Sequence, residues 1–321
     1  MRCWETLDAF QQWRDTVPVG DTIALVPTMG ALHHGHLSLM RLVQQHAQHV
    51  VVSLFVNPLQ FAPHEDFAAY PRTPEADLAL CADIGVAGVF MPSVAEMYPD
   101  AFVADCPNAP VDFTKVTRVV PPMSLAGRYE GTTRPDFFAG VATVVAKLLT
   151  IVRPTVAVFG EKDAQQLAVV QRLVADLNLP CRIIPHLLVR EASGLAASSR
   201  NAYFKTSEAC AAALWLSQTL IAIQHAWRDH PHRVPFSSRE ALHRVAHDLA
   251  QALPSAIPVQ LDYLDVVDTA FVSVFDDPVT ATLAWPATHR VIMAAWVDGV
   301  RLIDNACLGV PITGNDSSHT I

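Results

Sequence analysis

The feature that most constrains the fold is an alternation, in the first 188 residues of the chain, between short β-branched apolar runs and segments with helical periodicity. Strand-like runs lie at residues 22–27, 50–55, 89–91, 156–159 and 182–184. Between them, apolar residues recur every three or four positions, as from Leu32 to Val43. Strands that alternate with helices build parallel sheets. This part of the chain is therefore predicted to form an α/β domain.

Proline and glycine residues mark where some of these helices begin and end. Pro74, after Thr73, is typical of a first helical position, and Gly85 is typical of a helix end, so a helix is predicted between them. Another is predicted over residues 164–177. Residues 99–136 are rich in proline, glycine and acids, which favours a loop-dominated insertion.

The alternation of strand-like and helical segments ends near residue 189. Helical segments at 207–228 and 239–252 precede strand-like runs near 261–267 and 290–297. A length of 321 residues also favours two domains. We therefore predict one domain over residues 1–188, a second over 189–313 and a disordered tail over 314–321.

Composition narrows the class of protein. With 51% hydrophobic and 17% charged residues the chain can form a packed core. A net charge of −9 disfavours nucleic acid as a partner, although local cations could still bind an anionic ligand such as ATP. The six cysteines are scattered and are expected to be reduced. Neither a secretory peptide nor an 18-residue apolar segment is visible, so we expect a cytoplasmic protein without a membrane partner.

The strongest local signal is Pro-Thr-Met-Gly-Ala-Leu-His-His-Gly-His over residues 27–36, between the first strand and its helix. Open α/β sheets bind ligands at such positions. Gly30 and Gly35 allow close approach of the backbone, and His33 and His36 can donate to phosphate oxygens beside a helix N-terminus. This pattern suits a triphosphate. Two alternatives stay open: a metal site, and ordinary histidines at the edge of a cleft.

Three further segments carry candidate chemistry. Lys162, in Gly-Glu-Lys-Asp after the strand at 156–159, could neutralise phosphate, or could simply begin a solvated helix. Ser-Ser-Arg at 198–200 could clamp an anion, or could cap a helix beside a surface arginine. Asn57 and Gln60, after the second strand, present amides suited to hydroxyl and carboxylate groups.

Taken together, these four segments resemble the pantothenate synthetase (pantoate-beta-alanine ligase) family of the His-x-Gly-His nucleotidyltransferase superfamily. Tyr-Pro-Arg-Thr at 70–73, Glu-Gly at 130–131, Arg-Pro at 134–135 and Arg-Leu-Ile-Asp-Asn at 301–305 extend the likeness. It covers about residues 25–305. The resemblance implies a Rossmann-like doubly wound parallel sheet with a smaller α+β C-terminal lid domain. It also implies ATP-dependent condensation of pantoate with beta-alanine through a pantoyl adenylate, with Mg²⁺, in a homodimer.

The resemblance also implies residue roles. His36 would be the catalytic proton donor, acting with His33, Lys162 and Arg200. Gln60 and Gln166 would hold pantoate, with Asn57 beside them. The expected ATP-binding residues are Met29, Gly30, Ala31, Leu32, His33, His34, Gly35, His36, Gly160, Glu161, Lys162, Asp163, Val189, Ala197, Ser198, Ser199 and Arg200. Metal ligands are not assigned.

The chain departs from the family pattern in places. Asp136 and Phe137 stand where the family commonly has glycine and histidine. Asp77 lies where the family often places acids near the metal, but Ala76 stands beside it, so no role is assigned to Asp77. Two alternative functions follow: another His-x-Gly-His adenylyltransferase acting on a phosphate ester, or a catalytically impaired nucleotide-binding homologue.

Overall fold

The computed structural model describes residues 1–62, 67–101, 113–229, 234–253, 257–276 and 284–312. These form two compact units. The first comprises the described residues of Met1–Glu161 and Gln165–Leu187, and the second comprises Lys162–Ala164 and the described residues from Leu188 onward. The boundary after residue 188 and the predicted lid role stay predictions. The predicted tail, residues 314–321, lies outside the described residues.

The first unit contains a six-stranded sheet in the order β1-β4-β3-β2-β5-β6, and every pairing in it is parallel. Its strands are β1 Arg2–Trp4, β2 Ile23–Thr28, β3 His49–Leu54, β4 Gly88–Phe90, β5 Val156–Gly160 and β6 Arg182–His186. The helices are α1 Leu7–Thr16, α2 His34–Val43, α3 Pro74–Ile84, α4 Val94–Met97, α5 Met123–Ala126, α6 Glu130–Thr133, α7 Phe137–Val152 and α8 Ala164–Asp176, whose first residue groups with the second unit.

Alternate residues of the strands pack on opposite faces of this sheet. Leu25 and Val51 belong to one apolar cluster, together with residues of α1, α7 and α8. Val26 and Val52 belong to another, together with residues of α2 and α3. Burial on both faces explains why the strands are almost continuously apolar. The doubly wound parallel α/β fold predicted from the sequence is confirmed.

The segment predicted as a loop-dominated insertion, residues 99–136, contains only short helices where it is described. Besides α5 and α6, 3₁₀ turns lie at Pro99–Ala101 and Phe113–Lys115. Residues 102–112 lie outside the described ranges.

The second unit packs two helices on a three-stranded antiparallel sheet in the order β7-β8-β9. Its elements are α9 Ser207–Asp229, α10 Arg239–Gln251, β7 Val259–Val267, β8 Arg290–Val297 and β9 Val300–Cys307. Trp215 and Leu216 of α9 and Leu242 of α10 are buried with Val291 and Met293 of β8. This is the smaller α+β domain that the resemblance implied.

Candidate active site

The candidate site of the first unit lies at the carboxyl ends of β2, β3 and β5. The strands are parallel, and Thr28 at the end of β2 pairs with Leu54 at the end of β3. The strand β3 pairs with one edge of β2, and β5 pairs with the opposite edge of β2. Ligands of open α/β sheets bind where the strand order reverses in this way. The turn after β2 therefore lies where a ligand is expected.

That turn is held by a buried carboxylate from α3. Asp77 accepts hydrogen bonds from the amides of Ala31 (2.9 Å) and Leu32 (2.8 Å) and from the Thr73 hydroxyl (3.2 Å). Gly30 and Ala31 both have positive φ, at 82° and 50°. The carboxylate compensates for this strained path by satisfying two amides. Asp77 is thus engaged with the protein itself, a role that the sequence did not reveal because 46 positions separate it from Ala31.

Hydrogen bonds at the start of α2 define how His33 and His36 can act. His33 Nδ1 accepts from the Gly35 amide (3.2 Å), and His36 Nδ1 accepts from the His33 amide (3.3 Å). A neutral imidazole that accepts at Nδ1 carries its proton on Nε2. The rings lie close, with centroids 4.1 Å apart. Both histidines are therefore set up as Nε2–H donors at a helix N-terminus, where anions are favoured.

The other residues of the turn have simpler environments. His34 is exposed, and its ring centroid lies 6.0 Å from that of His33. The Thr28 hydroxyl donates to the Ser53 carbonyl and accepts from the Gly30 amide (2.8 and 3.2 Å), so it joins the end of β2 to β3.

A buried amide pair follows β3. The Asn57 side chain donates to Gln60 Oε1 and to the Gly140 carbonyl, both at 3.1 Å. Its oxygen accepts from the Tyr98 hydroxyl at 3.0 Å. Gln60 Nε2 in turn donates to Met29 Sδ at 3.0 Å. Asn57 is 1% exposed and Gln60 8% exposed. Asn57 therefore orients Gln60, and Gln60 links the amide pair to the turn after β2.

Burial raises the pKa of the Tyr98 hydroxyl above its usual range. The phenol therefore stays protonated at neutral pH and can keep donating to Asn57. Tyr98 gave no signal in the sequence, because it follows a short helix and is linked to Asn57 only by the tertiary structure.

The residues that depart from the family pattern have local partners. Asp136 pairs with Arg118 at 2.6 Å on the surface. The Arg134 guanidinium lies 3.8 Å from the centroid of the Phe137 ring and donates to the Gln60 carbonyl at 3.0 Å. Phe137 thus packs against the arginine that holds the backbone of Gln60.

Two adjacent glutamines at the start of α8 differ in how they are used. Gln165 is buried and donates to the carbonyls of Leu125 and Arg128, both at 2.8 Å, and it accepts from the Glu130 amide at 3.2 Å. Gln166 is half-buried, and its side-chain amide has no hydrogen-bond partner among the described residues. Of the two, Gln165 is thus held by the protein itself, and the expected pantoate-binding role of Gln166 stays a prediction.

The second unit brings together most of the remaining predicted residues. Lys162, Ser198 and Arg200 line one depression with Arg301 and Asp304. Ser198 caps the 3₁₀ turn Ser199–Tyr203 by accepting from the Arg200 amide at 3.2 Å. The Ala197 amide donates to the Val189 carbonyl at 3.0 Å. A lysine, an arginine and a serine in one depression can bind a polyanion.

The rest of the Gly160–Asp163 segment divides between the units. Gly160 ends β5 at the same edge of the sheet as the turn after β2, and Glu161 follows it in the first unit. Asp163 lies beside Lys162, with 3.6 Å between carboxylate and ammonium. The expected convergence of Lys162 and Arg200 with His33 and His36 around one triphosphate stays a prediction.

No group of three or more His, Cys, Asp or Glu side chains suited to a metal ion occurs among the described residues. In the same ranges, no helix is both long enough and apolar enough to cross a membrane.

Comparison with known proteins identifies the family of this chain. The sequence model of the pantoate-beta-alanine ligases matches residues 2–307. A pantothenate synthetase of Thermobifida fusca is 47% identical over 91% of this chain and 90% of its own length. The crystal structure of pantothenate synthetase from Thermus thermophilus superposes with a TM-score of 0.81 at 38% identity, covering 96% of this chain and 99% of that one.

A third protein was crystallised with ligands. Pantoate-beta-alanine ligase from Francisella tularensis, complexed with beta-gamma ATP and beta-alanine, superposes with a TM-score of 0.75 at 29% identity. The match covers 98% of this chain and all of that one.

Proposed function

This chain belongs to the pantoate-beta-alanine ligase family, and we propose that it condenses pantoate with beta-alanine in an ATP-dependent reaction. A pantoate carboxylate oxygen attacks the α-phosphorus of ATP, and pyrophosphate leaves. The beta-alanine amine then attacks the acyl carbon of the adenylate, and AMP leaves as the amide forms. The amine loses its proton in this second step. No covalent intermediate with the enzyme is needed, so catalysis depends on alignment and charge stabilisation.

The observation that carries the phosphate-binding part of this proposal is the hydrogen bonding of His33 and His36. Since each Nδ1 accepts an amide hydrogen, each Nε2–H can donate to a phosphate oxygen without a change of tautomer. The N-terminus of α2 adds a favourable field for the same anion. We assign His36 as the proton donor to the leaving group and His33 as its neighbour in phosphate binding.

Lys162 and Arg200 are proposed to bind the phosphates that carry growing negative charge. This proposal is supported by the fact that both side chains line the same depression as Ser198. Met29–His36, Gly160–Asp163, Val189 and Ala197–Arg200 would together surround ATP.

Pantoate is proposed to bind at Gln60 and Gln166. The amide of Gln60 is held by Asn57 and Met29, and Gln166 has no competing partner among the described residues. A neutral amide pair suits a polyol acid better than a phosphate ester, since an added phosphate would find no cation in this pair. Beta-alanine would approach beside Gln60.

Mg²⁺ fits the proposal as an ion that arrives with ATP. Mg²⁺ commonly keeps several waters and uses substrate phosphates with one or two carboxylates. Few protein ligands are needed in that mode, and Asp77, which already accepts hydrogen bonds from two amides, is not assigned as one of them. Bound in this way, the ion would neutralise phosphate charge. The family likeness also leads us to propose a cytoplasmic homodimer in which the second unit acts as a lid.

The test is a product assay with ATP, Mg²⁺, pantoate and beta-alanine, each omitted in turn, together with pantoate-dependent exchange of pyrophosphate into ATP. We expect pantothenate only in the complete mixture. His36→Ala and Lys162→Ala should each lower turnover by about 10²- to 10³-fold, the usual effect of losing one preorganised donor. The matched controls His46→Ala and Lys205→Ala change exposed residues and should leave turnover unaltered.

Two results would contradict this proposal. Exchange supported by a phosphate ester instead of pantoate would indicate another adenylyltransferase of the superfamily. ATP binding without formation of pantothenate would indicate an impaired homologue.

A further inference from the structure

The segment Arg301–Asn305 resembles the family motif and contributes Arg301 and Asp304 to the lining of the depression, but it has not yet been given a function. It lies in β9, at the edge of the second unit's sheet. Asp304 and Asn305 are adjacent, polar and almost completely buried, at 3% and 4% exposure. Buried polar side chains are costly unless they are well bonded. Their partners therefore indicate why they are present.

Asn305 holds the segment that carries Lys162. Its Nδ2 donates to the Lys162 carbonyl at 2.8 Å, across 143 positions of sequence, and its Oδ1 accepts from Arg290. The Asn305 amide donates to Asp304 Oδ1 at 2.7 Å, which ties the two residues together. Lys162 lies in the short turn Glu161–Asp163, so a bond to its backbone restricts where its side chain can start.

Asp304 holds the segment that carries Ser198 and Arg200. It forms two hydrogen bonds with the Arg190 guanidinium, at 2.8 and 2.9 Å, and the same guanidinium donates to the Gly194 carbonyl at 3.0 Å. Gly194 has a positive φ of 94°, and Arg190 pairs with Ala196 across this hairpin. A bidentate pair of this kind fixes orientation as well as distance.

We propose that Asp304 and Asn305 are positioning residues for catalysis, and that they set the placement of Lys162 relative to Ser198 and Arg200. This inference rests on the proposed phosphate-binding role of Lys162. Each of the two adjacent side chains of β9 holds one of the segments that supply the cationic depression. A shift of about 1 Å in a positioned group can cost about 10²-fold in rate, so a loose Lys162 binds phosphate in the wrong place.

The test compares Asn305→Ala with Gln224→Ala. Gln224 is a matched control because it is also a buried amide of the second unit that donates to backbone carbonyls, those of Cys307 and Val310. We expect both variants to lower Tm to a similar extent. Only Asn305→Ala should lower the kcat for pantoate-dependent pyrophosphate exchange, by about tenfold, the scale of one lost hydrogen bond. KM for pantoate should stay within about twofold in both.

A double-mutant cycle separates positioning from general stability. Lys162→Ala keeps the backbone carbonyl that Asn305 binds but removes the ammonium group. If Asn305 acts through Lys162, adding Asn305→Ala to Lys162→Ala should lower kcat by less than about twofold further. Asn305→Asp, which keeps size and the acceptor for Arg290 but loses the donor, should repeat the tenfold loss in the wild-type background.

Two outcomes would overturn the inference: equal kcat losses in the Gln224 and Asn305 variants, or a full tenfold loss in the Lys162→Ala background. Absence of pantoate-dependent exchange in the unmodified enzyme would instead contradict the proposed function, so the two failures are distinguishable.

Discussion

Asp77→Ala tests whether one buried carboxylate maintains the turn that precedes the two histidines. The substitution removes the acceptor for the amides of Ala31 and Leu32 and for the Thr73 hydroxyl. A hydrogen bond to a charged group contributes about 1.5–3 kcal/mol. Ala31 and Leu32 are half-buried, so water can replace part of the loss. We therefore take about 1.5 kcal/mol for each of the two amide hydrogen bonds and expect the free energy of unfolding to fall by about 3 kcal/mol.

That loss should be visible in a thermal melt. For a folding unit of about 150–250 residues, the size class of the first unit, about 2–4 °C is lost per kcal/mol, so Tm should fall by roughly 6–12 °C. Turnover measured well below Tm should fall by about 10- to 100-fold, because His33 and His36 follow directly after the loosened turn. Asp83→Ala is the matched control, since Asp83 lies exposed on the same helix and should affect neither quantity.

The reasoning fails if Asp77→Ala melts at the wild-type temperature. If, in addition, raising the Mg²⁺ concentration restores turnover of that variant, the carboxylate belongs to the metal site and not to the turn.

Two further predictions concern the same region. At the turn, Gly30→Ala should lower the free energy of unfolding by about 1–3 kcal/mol, because the new Cβ would lie 3.0 Å from Asp77 Oδ2 and the backbone is left-handed there. Ala31→Gly should leave the free energy of unfolding unchanged or raise it by about 1 kcal/mol, because Ala31 is also left-handed. Urea midpoints that shift in the same direction would contradict this. Burial raises the pKa of the Cys81 thiol on α3 from 9.0 to about 12, so its contribution to stability should be present below pH 9 and decline as pH rises towards 12. Cys81→Ala should flatten that alkaline decline, and iodoacetamide at pH 8.5 should label the exposed Cys210 before Cys81, as peptide mass spectrometry can show.

Many elements were predictable because their signals are local. The helix predicted between Thr73 and Gly85 is observed as Pro74–Ile84, with Gly85 left-handed at its end. The strands predicted near 156–159 and 290–297 are observed within one residue at each end. Periodicity and end signals act over a few residues, so they remain visible in one sequence.

Other elements gave little signal. The strand Arg2–Trp4 has three residues and is held by pairing with β4 across the chain. The strand Val300–Cys307 contains the motif Arg-Leu-Ile-Asp-Asn but no strand is predicted there, and its place beside β8 is set by antiparallel pairing. Short or edge strands depend on a neighbour that local patterns do not identify.

From sequence alone, the residue types of the candidate site and their positions after strands could be identified, because parallel strands place such turns at one edge. Only the tertiary structure showed what holds them: Asp77 under the turn at Ala31, Tyr98 behind Asn57, and Asn305 against Lys162. A hydrogen bond between distant residues leaves no periodic trace in the chain. Its partners become known only when packing has brought the segments together.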